Sequence, residues 1–415
     1  MSTRRPTHLL AISASRFPQG EATANRLFHL ARSVCHAGGR VTVANDATAL
    51  PTDGAAGTVA AGTPDTAGLT VVTLGGPVPS RIGRLLLRSA RPVRVLVALR
   101  RAGVRPGDVT AALVPLALLT VGLWAALRIA LRCPVTVDVT ERHDPHQFRH
   151  GRWDPRFLRH RWAAALTGRL ADGVVVPSRA LEQRFAARRV PVLRVPPLVD
   201  CAAFPPPRPP SLATGLRLLY AGTPGAKDLL DTVVAAVAAG PGPVRLVVAG
   251  LDASDATGGS DLRAGTLAAA GDRVEFAGRV PHRRVLELLA ASHCSVLVRP
   301  PGGYADAGYP SKVPEALAAG CPMLANLTSD LADTLRDGGN SVVVASTRTE
   351  DVAAAVGRAL ALTDAQWRDL SAAAVAAGDR FDYRRWGEPV TAFLTDPGPP
   401  AALPASGPAT TREHA

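Results

Sequence analysis

The sequence predicts an α/β protein of two doubly wound domains, each a parallel sheet with helices on both faces. Three observations predict this. Short apolar runs alternate with stretches of helical period along most of the chain. The proline-rich stretch Phe204-Pro-Pro-Pro-Arg-Pro-Pro210 interrupts the alternation, which then restarts. The 415 residues suit two or three domains, at roughly 100–200 residues each.

In the first half, His8–Ser13 reads as a buried strand. A short loop over 16–21 follows, then a helix over 22–37 with Leu27, Leu30, Ala31 and Val34 on one face. Gly38-Gly39 ends that helix, and Val41–Val43 is the second strand. Residues 48–69, rich in Ala, Gly, Thr and Pro, read as a flexible insertion before a strand at Val71–Leu74. Residues 80–101 are expected to be helical to about Ala90 and to break or kink at Pro92. Strands at Val109–Val114, Pro134–Val139 and Gly173–Val176 alternate with helices near 116–131, near 156–170 and from Ser178. In the second half, strands are expected at Leu216–Ala221, Val244–Ala249, Val274–Ala277, Cys294–Val298, Met323–Ala325 and Ser341–Val344.

Composition excludes several classes. At 47% hydrophobic residues the chain can bury a sizeable core, and global disorder is out. Cysteines at 35, 133, 201, 294 and 321 are too scattered for a zinc module or a disulfide framework. The first residues hold no apolar run of signal-peptide length. The apolar stretch Val109–Leu127 approaches the length of a membrane span, but Pro115, Gly122 and two threonines fit a buried strand and a helix better. A net charge of +13 and a pI of about 10.7 invite anionic partners. Lys227 and Lys312 are the only lysines among 47 basic residues, which makes them candidates for places where a compact ammonium is needed, with chance survival in an arginine-biased chain as the other reading.

Three clusters could carry chemistry. The loop Pro18-Gln-Gly-Glu-Ala-Thr23 lies between the first strand and the first helix, where Gly20 would let backbone N–H groups approach an anion. Tyr220-Ala-Gly-Thr-Pro-Gly-Ala-Lys-Asp228 places Gly222 and Lys227 after the first strand of the second domain, where an ammonium can neutralise a diphosphate. In the third, a strand ends at Arg299 and a Gly-rich loop follows. Pro310 and Ser311 then open a short helix with Lys312 in its first turn and Glu315 pointing back towards the loop. Such a carboxylate suits a pair of vicinal hydroxyls, with a plain helix-dipole role as the other reading.

The order strand, Gly-rich loop, Pro-Ser-Lys-x-x-Glu-Ala-Leu-Ala-x-Gly-x-Pro, then Asp337-Gly-Gly-Asn340, resembles the donor domain of the family 4 glycosyltransferases of GT-B fold. Gly38-Gly39-Arg40-Val-Thr-Val43, Asp138-Val-Thr-Glu141, Ala171–Ser178 and Val195–Asp200 agree with that family in order, so the resemblance spans roughly residues 8–390. It implies two Rossmann-like domains facing each other across a cleft. The N-terminal acceptor domain would cover 1–203, a linker 204–214, and the nucleotide-sugar donor domain 215–380. A helix over 381–395 would return to the first domain, and 396–415 form a disordered tail.

The resemblance also implies a retaining transfer without metal or cofactor, the nucleotide sugar being a substrate. Lys227 matches the lysine that meets the diphosphate, and Glu315 the glutamate that holds the ribose. Gly222, Arg299, Tyr309, Ser311 and Lys312 join them as donor-site candidates, with Gly20 on the first domain. Two positions depart from the family: Ala307 stands where its first motif glutamate falls, beside Asp306, and Thr223 replaces a basic residue. Arg299, Lys312 or both would supply the missing charge.

On the acceptor side, Glu141, His143 and Asp144 follow a strand end and could orient or activate a hydroxyl; an exposed polar loop is the plainer reading. The acceptor is expected to be a small molecule, a glycan or a lipid-linked hydroxyl. Arg81, Arg84, Arg88 and Arg91, and the segment Phe148–Trp162, read as a solvated basic face or as a peripheral contact with anionic membrane. No motif of nucleic-acid binding accompanies them. The expected place is the cytoplasm, free or at the inner membrane face. Two other readings keep the same fold: a nucleotide-sugar epimerase, or a catalytically degenerate nucleotide-sugar-binding protein.

Overall fold

The computed structural model describes residues 6–13, 15, 17–18, 22–46, 66–75, 80, 83, 86–87, 90–117, 120–223, 228–252 and 262–399. The chain divides into two compact units, the first reaching Leu198 and resuming at Tyr383, the second running from Val199 to Asp382. The division falls five residues before 204, where the linker is expected.

The first unit holds a seven-stranded parallel sheet in the order β3-β2-β1-β4-β5-β6-β7. Its strands are β1 His8–Ser13, β2 Arg40–Asn45, β3 Leu69–Thr73, β4 Ala111–Pro115, β5 Val135–Asp138, β6 Gly173–Val176 and β7 Val192–Arg194. Strand β1, His-Leu-Leu-Ala-Ile-Ser, is buried along its whole length, because helices cover both faces of a parallel sheet. Register is continuous: Leu9 lies opposite Val41 on one side and Ala111 on the other.

The helix Ala22–His36 packs Leu27, Leu30, Ala31 and Val34 into the core, as its spacing predicts. After Tyr383 the chain rejoins this unit. The helix Gly387–Thr395 lies against Ala22–His36 so closely that a Cβ on Gly387 would stand 2.8 Å from the Ser33 carbonyl oxygen. Arg32 donates to the buried Tyr383 hydroxyl (2.8 Å) and stacks over its ring.

The second unit repeats the design with six parallel strands in the order β10-β9-β8-β11-β12-β13. They are β8 Leu216–Ala221, β9 Val244–Ala249, β10 Val274–Gly278, β11 Cys294–Leu297, β12 Met323–Ala325 and β13 Ser341–Val343. Apolar side chains from both faces of this sheet fill the core, Leu218 and Val248 among one set, Leu219 and Val247 among the other. The proline-rich stretch is tied down on this unit: the Arg208 N–H donates to the Ala290 carbonyl (2.6 Å), and His293 Nε2 pairs with the Pro210 carbonyl (2.7 Å).

The expected break falls beside Pro92: residues 83, 86 and 87 are helical, Ala90 is a turn, and a new helix, Arg91–Arg101, carries the proline in its first turn, where no amide hydrogen is required. Strand β7 was absent from the sequence pattern. The stretch Val109–Leu127 is β4 followed by the helix Thr120–Leu131, and no helix among the described residues is long and apolar enough to cross a membrane. Of the expected insertion over 48–69, residues 48–65 lie outside the described residues, as do Arg81, Arg84, Arg88 and the tail from 400.

Candidate functional site

Both strand orders reverse direction beside the first strand of their unit. At that point successive crossovers diverge, leaving a crevice beyond the carboxyl ends of the strands. It falls between β1 and β4 in the first unit and between β8 and β11 in the second.

In the second unit this crevice carries two cations on one carboxylate. Asp228 is buried, and three side chains converge on it: Arg299 Nε donates to Oδ1 (2.8 Å), Lys312 Nζ to Oδ2 (2.6 Å), and the Tyr220 hydroxyl to Oδ2 (2.6 Å). The Lys312 ammonium also sits 3.9 Å from the Tyr220 ring centroid. Burial pushes the Asp228 carboxyl up, but Lys312 and Arg299 outweigh it and hold the group below its ordinary range. Burial lowers the Lys312 ammonium and Asp228 pulls it back up. With two cations and one anion, the cluster keeps one positive charge.

Gly222 is what lets Lys312 reach this place. It follows β8 with φ of 131°, and a Cβ there would stand 2.7 Å from Lys312 Cε. Arg299 is fixed from behind: its N–H donates to Asn326 Oδ1 (2.9 Å), and Asn326 returns a bond to its carbonyl (2.7 Å).

Lys312 opens the seven-residue helix Lys312–Ala318, with Ser311 at its N-cap position and Glu315 one turn in. Burial raises the Glu315 carboxyl, with His282 and Lys312 drawing it down. Tyr309 is turned elsewhere. Its hydroxyl pairs with Thr334 (3.1 Å) and its ring packs on Phe381. Ala307 is buried, and the neighbouring Asp306 accepts from the backbone N–H groups of Gly302 (3.2 Å) and Ser329 (3.1 Å). The structure therefore brings together Gly222, Arg299, Ser311, Lys312 and Glu315; Lys227 and Gly20 lie outside the described residues.

The crevice of the first unit is a cavity of about 240 Å³ lined by Ser13, Ser15, Thr23, Asp138, Thr140, Glu141, His143 and His160 with apolar neighbours. Glu141 and His143 are thus on the wall. Asp144 is not among the lining residues; it precedes a short 3-10 turn, its N–H donating to Gln147 Oε1 (2.9 Å).

Two wall residues, Asp138 and His160, were not among the catalytic candidates, although Asp138 opens the family-like segment Asp138–Glu141. Asp138, at the end of β5, is bridged by Arg26 Nε (3.1 and 3.2 Å), whose guanidinium also donates to the Val195 carbonyl (2.8 Å). Burial raises the Asp138 carboxyl and Arg26 counteracts it. His160 packs edge-on against His143 at 4.4 Å between centroids. Burial and then His143 depress its imidazole to about 4, so it is neutral near pH 7. Among the described residues, no group of three His, Cys, Asp or Glu side chains is placed to hold a metal.

Comparison with solved structures defines the class of fold. The chain is similar to sucrose-phosphate synthase from Thermosynechococcus elongatus, at 19% identity over 93% of this chain and 96% of that one, with a TM-score of 0.67. It is similar to Anabaena HepE in complex with UDP and glucose, at 16% identity over 94% and 99% of the two chains and a TM-score of 0.64. WaaG, a glycosyltransferase involved in lipopolysaccharide biosynthesis, covers 93% of this chain with 99% of its own, at 14% identity and a TM-score of 0.61. The fold is GT-B, two Rossmann-like α/β domains.

The family match is narrower. Residues 212–361, most of the second unit, match the family model of the glycosyl transferases group 1. No curated protein matches the chain.

Proposed function

We propose that the chain is a glycosyltransferase that moves a hexosyl group from a nucleotide diphosphate to a hydroxyl acceptor, with retention and without a bound metal. One observation carries this: the Arg299–Asp228–Lys312 cluster lies at the switch point of the sheet that matches the glycosyl transferases group 1. In the transfer, the bond from the anomeric carbon to the diphosphate oxygen breaks and a bond to the acceptor oxygen forms. The acceptor proton passes to the departing diphosphate. Charge grows on that leaving group, and fixed cations stabilise it most where water is excluded. Arg299 and Lys312 are such cations, with Lys227 joining them on the strength of the family resemblance. Glu315 would accept from the ribose hydroxyls. The acceptor hydroxyl would enter the cavity of the first unit, where Glu141, His143 and His160 orient it. HepE, described in complex with UDP and glucose, supplies a ligand class to start from.

A second reading, donor binding without turnover, is favoured by one feature. Ala307 carries no carboxylate, and Asp306 is committed to two backbone N–H groups. Incubation with UDP-, GDP- and dTDP-hexoses separates the two. Release of nucleoside diphosphate, lost in Lys312→Ala and Glu315→Gln, is the expected result. Tight binding with no release for any donor or acceptor leaves the second reading standing. Neither binding nor release overturns both.

A further inference from the structure

We propose that one helical layer of the first unit is a docking face for an anionic lipid bilayer. Three helices form it: Arg91–Arg101, Thr120–Leu131 and Pro155–Leu170. They connect β3 to β4, β4 to β5 and β5 to β6. Right-handed crossovers running one way along a sheet place their helices on one side. The middle helix packs against each of the others.

The composition of the layer is one-sided. Its three helices contain nine arginines and not one aspartate or glutamate; Arg91 and Arg94 turn inward to Asp46, and the exposed ones include Arg100, Arg101, Arg128, Arg159 and Arg169. By contrast, the second unit's helices Leu230–Ala239, His282–Ala290, Thr349–Leu360 and Asp364–Gly378 all carry carboxylates. The layer also leaves large apolar groups in solvent: Ile129 is 77% exposed, Val93 64% and Trp162 58%, and Trp153, just before the third helix, 71%. Of the eight large hydrophobics exposed among the described residues, seven belong to the first unit and only Leu327 to the second.

The exposed groups share faces with arginine. Val93, Val97, Arg100 and Arg101 are exposed and follow the i, i+4, i+7, i+8 pattern of one helix side. At about 100° per residue, Arg159 and Arg169 fall within about 60° of Trp162 around the helix. Ile129 lies between the exposed Arg128 and Arg132, of which Arg128 is paired with Asp172. Aromatic and aliphatic groups that enter the headgroup region, ringed by arginines that meet lipid phosphates, are what an anionic bilayer recognises.

The placement bears on the reaction. His160 lines the first unit's cavity, and Trp162 lies about 200° further round the same helix, on its opposite side. A chain docked by Trp162 would therefore carry the cavity on the side of that helix turned away from the bilayer. Docking itself does not rest on the proposed acceptor site.

The test uses the whole protein and vesicles of phosphatidylcholine, with or without phosphatidylglycerol, the lipids being either plain or brominated. Sedimentation with the phosphatidylglycerol vesicles, and quenching of tryptophan emission by brominated lipid in them, are the expected results. Trp153→Ser with Trp162→Ser should abolish the quenching and weaken sedimentation roughly tenfold. Arg159→Gln with Arg169→Gln should weaken it by about fivefold per arginine. Thermal stabilisation by UDP in the same variants should be unchanged, which separates failure of docking from failure of the donor site. Vesicle binding without quenching, binding insensitive to these substitutions, or preference for a polynucleotide over the vesicles would each overturn the proposal.

Discussion

The two units share a strand order and differ in what they place at the point where it reverses. The first offers an open cavity walled by hydroxyls, two carboxylates and two imidazoles. The second offers a buried carboxylate gripped by an arginine and a lysine, leaving a net positive charge. Topology explains why each unit has a crevice there; it says nothing about what the crevice binds. The difference teaches that side chains arriving from distant loops divide the labour, an anion site on one sheet and a hydroxyl-binding wall on the other.

The largest effect that would break this comparison is on stability. Asp228→Ala leaves Arg299 and Lys312 facing each other in a buried place and should cost about 3–5 kcal/mol. Asp138→Ala should cost less, because Arg26 keeps its bonds to the Val195 and Pro196 carbonyls. Denaturant midpoints decide the order, and a larger loss from Asp138→Ala would reverse the comparison.

Next is catalysis. Lys312→Ala should lower kcat/KM for donor by roughly 10²–10³-fold, the scale for one lost transition-state donor, and should abolish nucleotide-induced stabilisation. His160→Gln should leave nucleotide binding intact and alter the dependence on acceptor. A matching loss of nucleotide binding in His160→Gln would mean that the two sites are not distinct.

Acid titration sharpens the contrast. The folded state holds His160 neutral down to about 4, against a usual value of 6.5. Between those pH values the unfolded chain binds the extra proton, so His160 makes stability fall as pH drops through that window. His160→Gln should flatten this part of the stability–pH curve. Asp228 acts lower down: its carboxyl is held below the ordinary range, so its contribution is lost only as pH falls beneath that range. Asp228→Asn should remove that deeper acid limb and leave the limb between 6.5 and about 4 in place.

The smallest effect concerns Tyr309. Tyr309→Phe removes the hydroxyl that pairs with Thr334 and should cost about 1 kcal/mol, with UDP binding unchanged. A strong loss of UDP affinity would return Tyr309 to the donor site.

Much of the fold is legible in the sequence, because a strand buried on both faces must be an apolar run. Leu9–Ile12, Val174–Val176 and Leu246–Ala249 announce themselves in that way. Strand β7 does not: it ends in the half-buried Arg194, so it is not an apolar run. In the candidate site, Lys312 and Glu315 are legible from a local motif on one short helix. Asp228 is not, because its partners Arg299 and Lys312 are 71 and 84 residues away. Arg26 and Asp138 meet across 112 residues. Only the folded sheet makes such pairs, and no local pattern encodes them.

The most direct test of the central claim is the thermal stabilisation of wild type and Lys312→Ala by UDP, GDP and dTDP across a concentration series. A ligand at one hundred times its dissociation constant adds about 2.7 kcal/mol to the folded state. The account predicts saturable stabilisation of the wild type by at least one of these nucleotides and none in Lys312→Ala. Equal stabilisation of both proteins, or of neither, would contradict a nucleoside-diphosphate site at the Arg299–Asp228–Lys312 cluster.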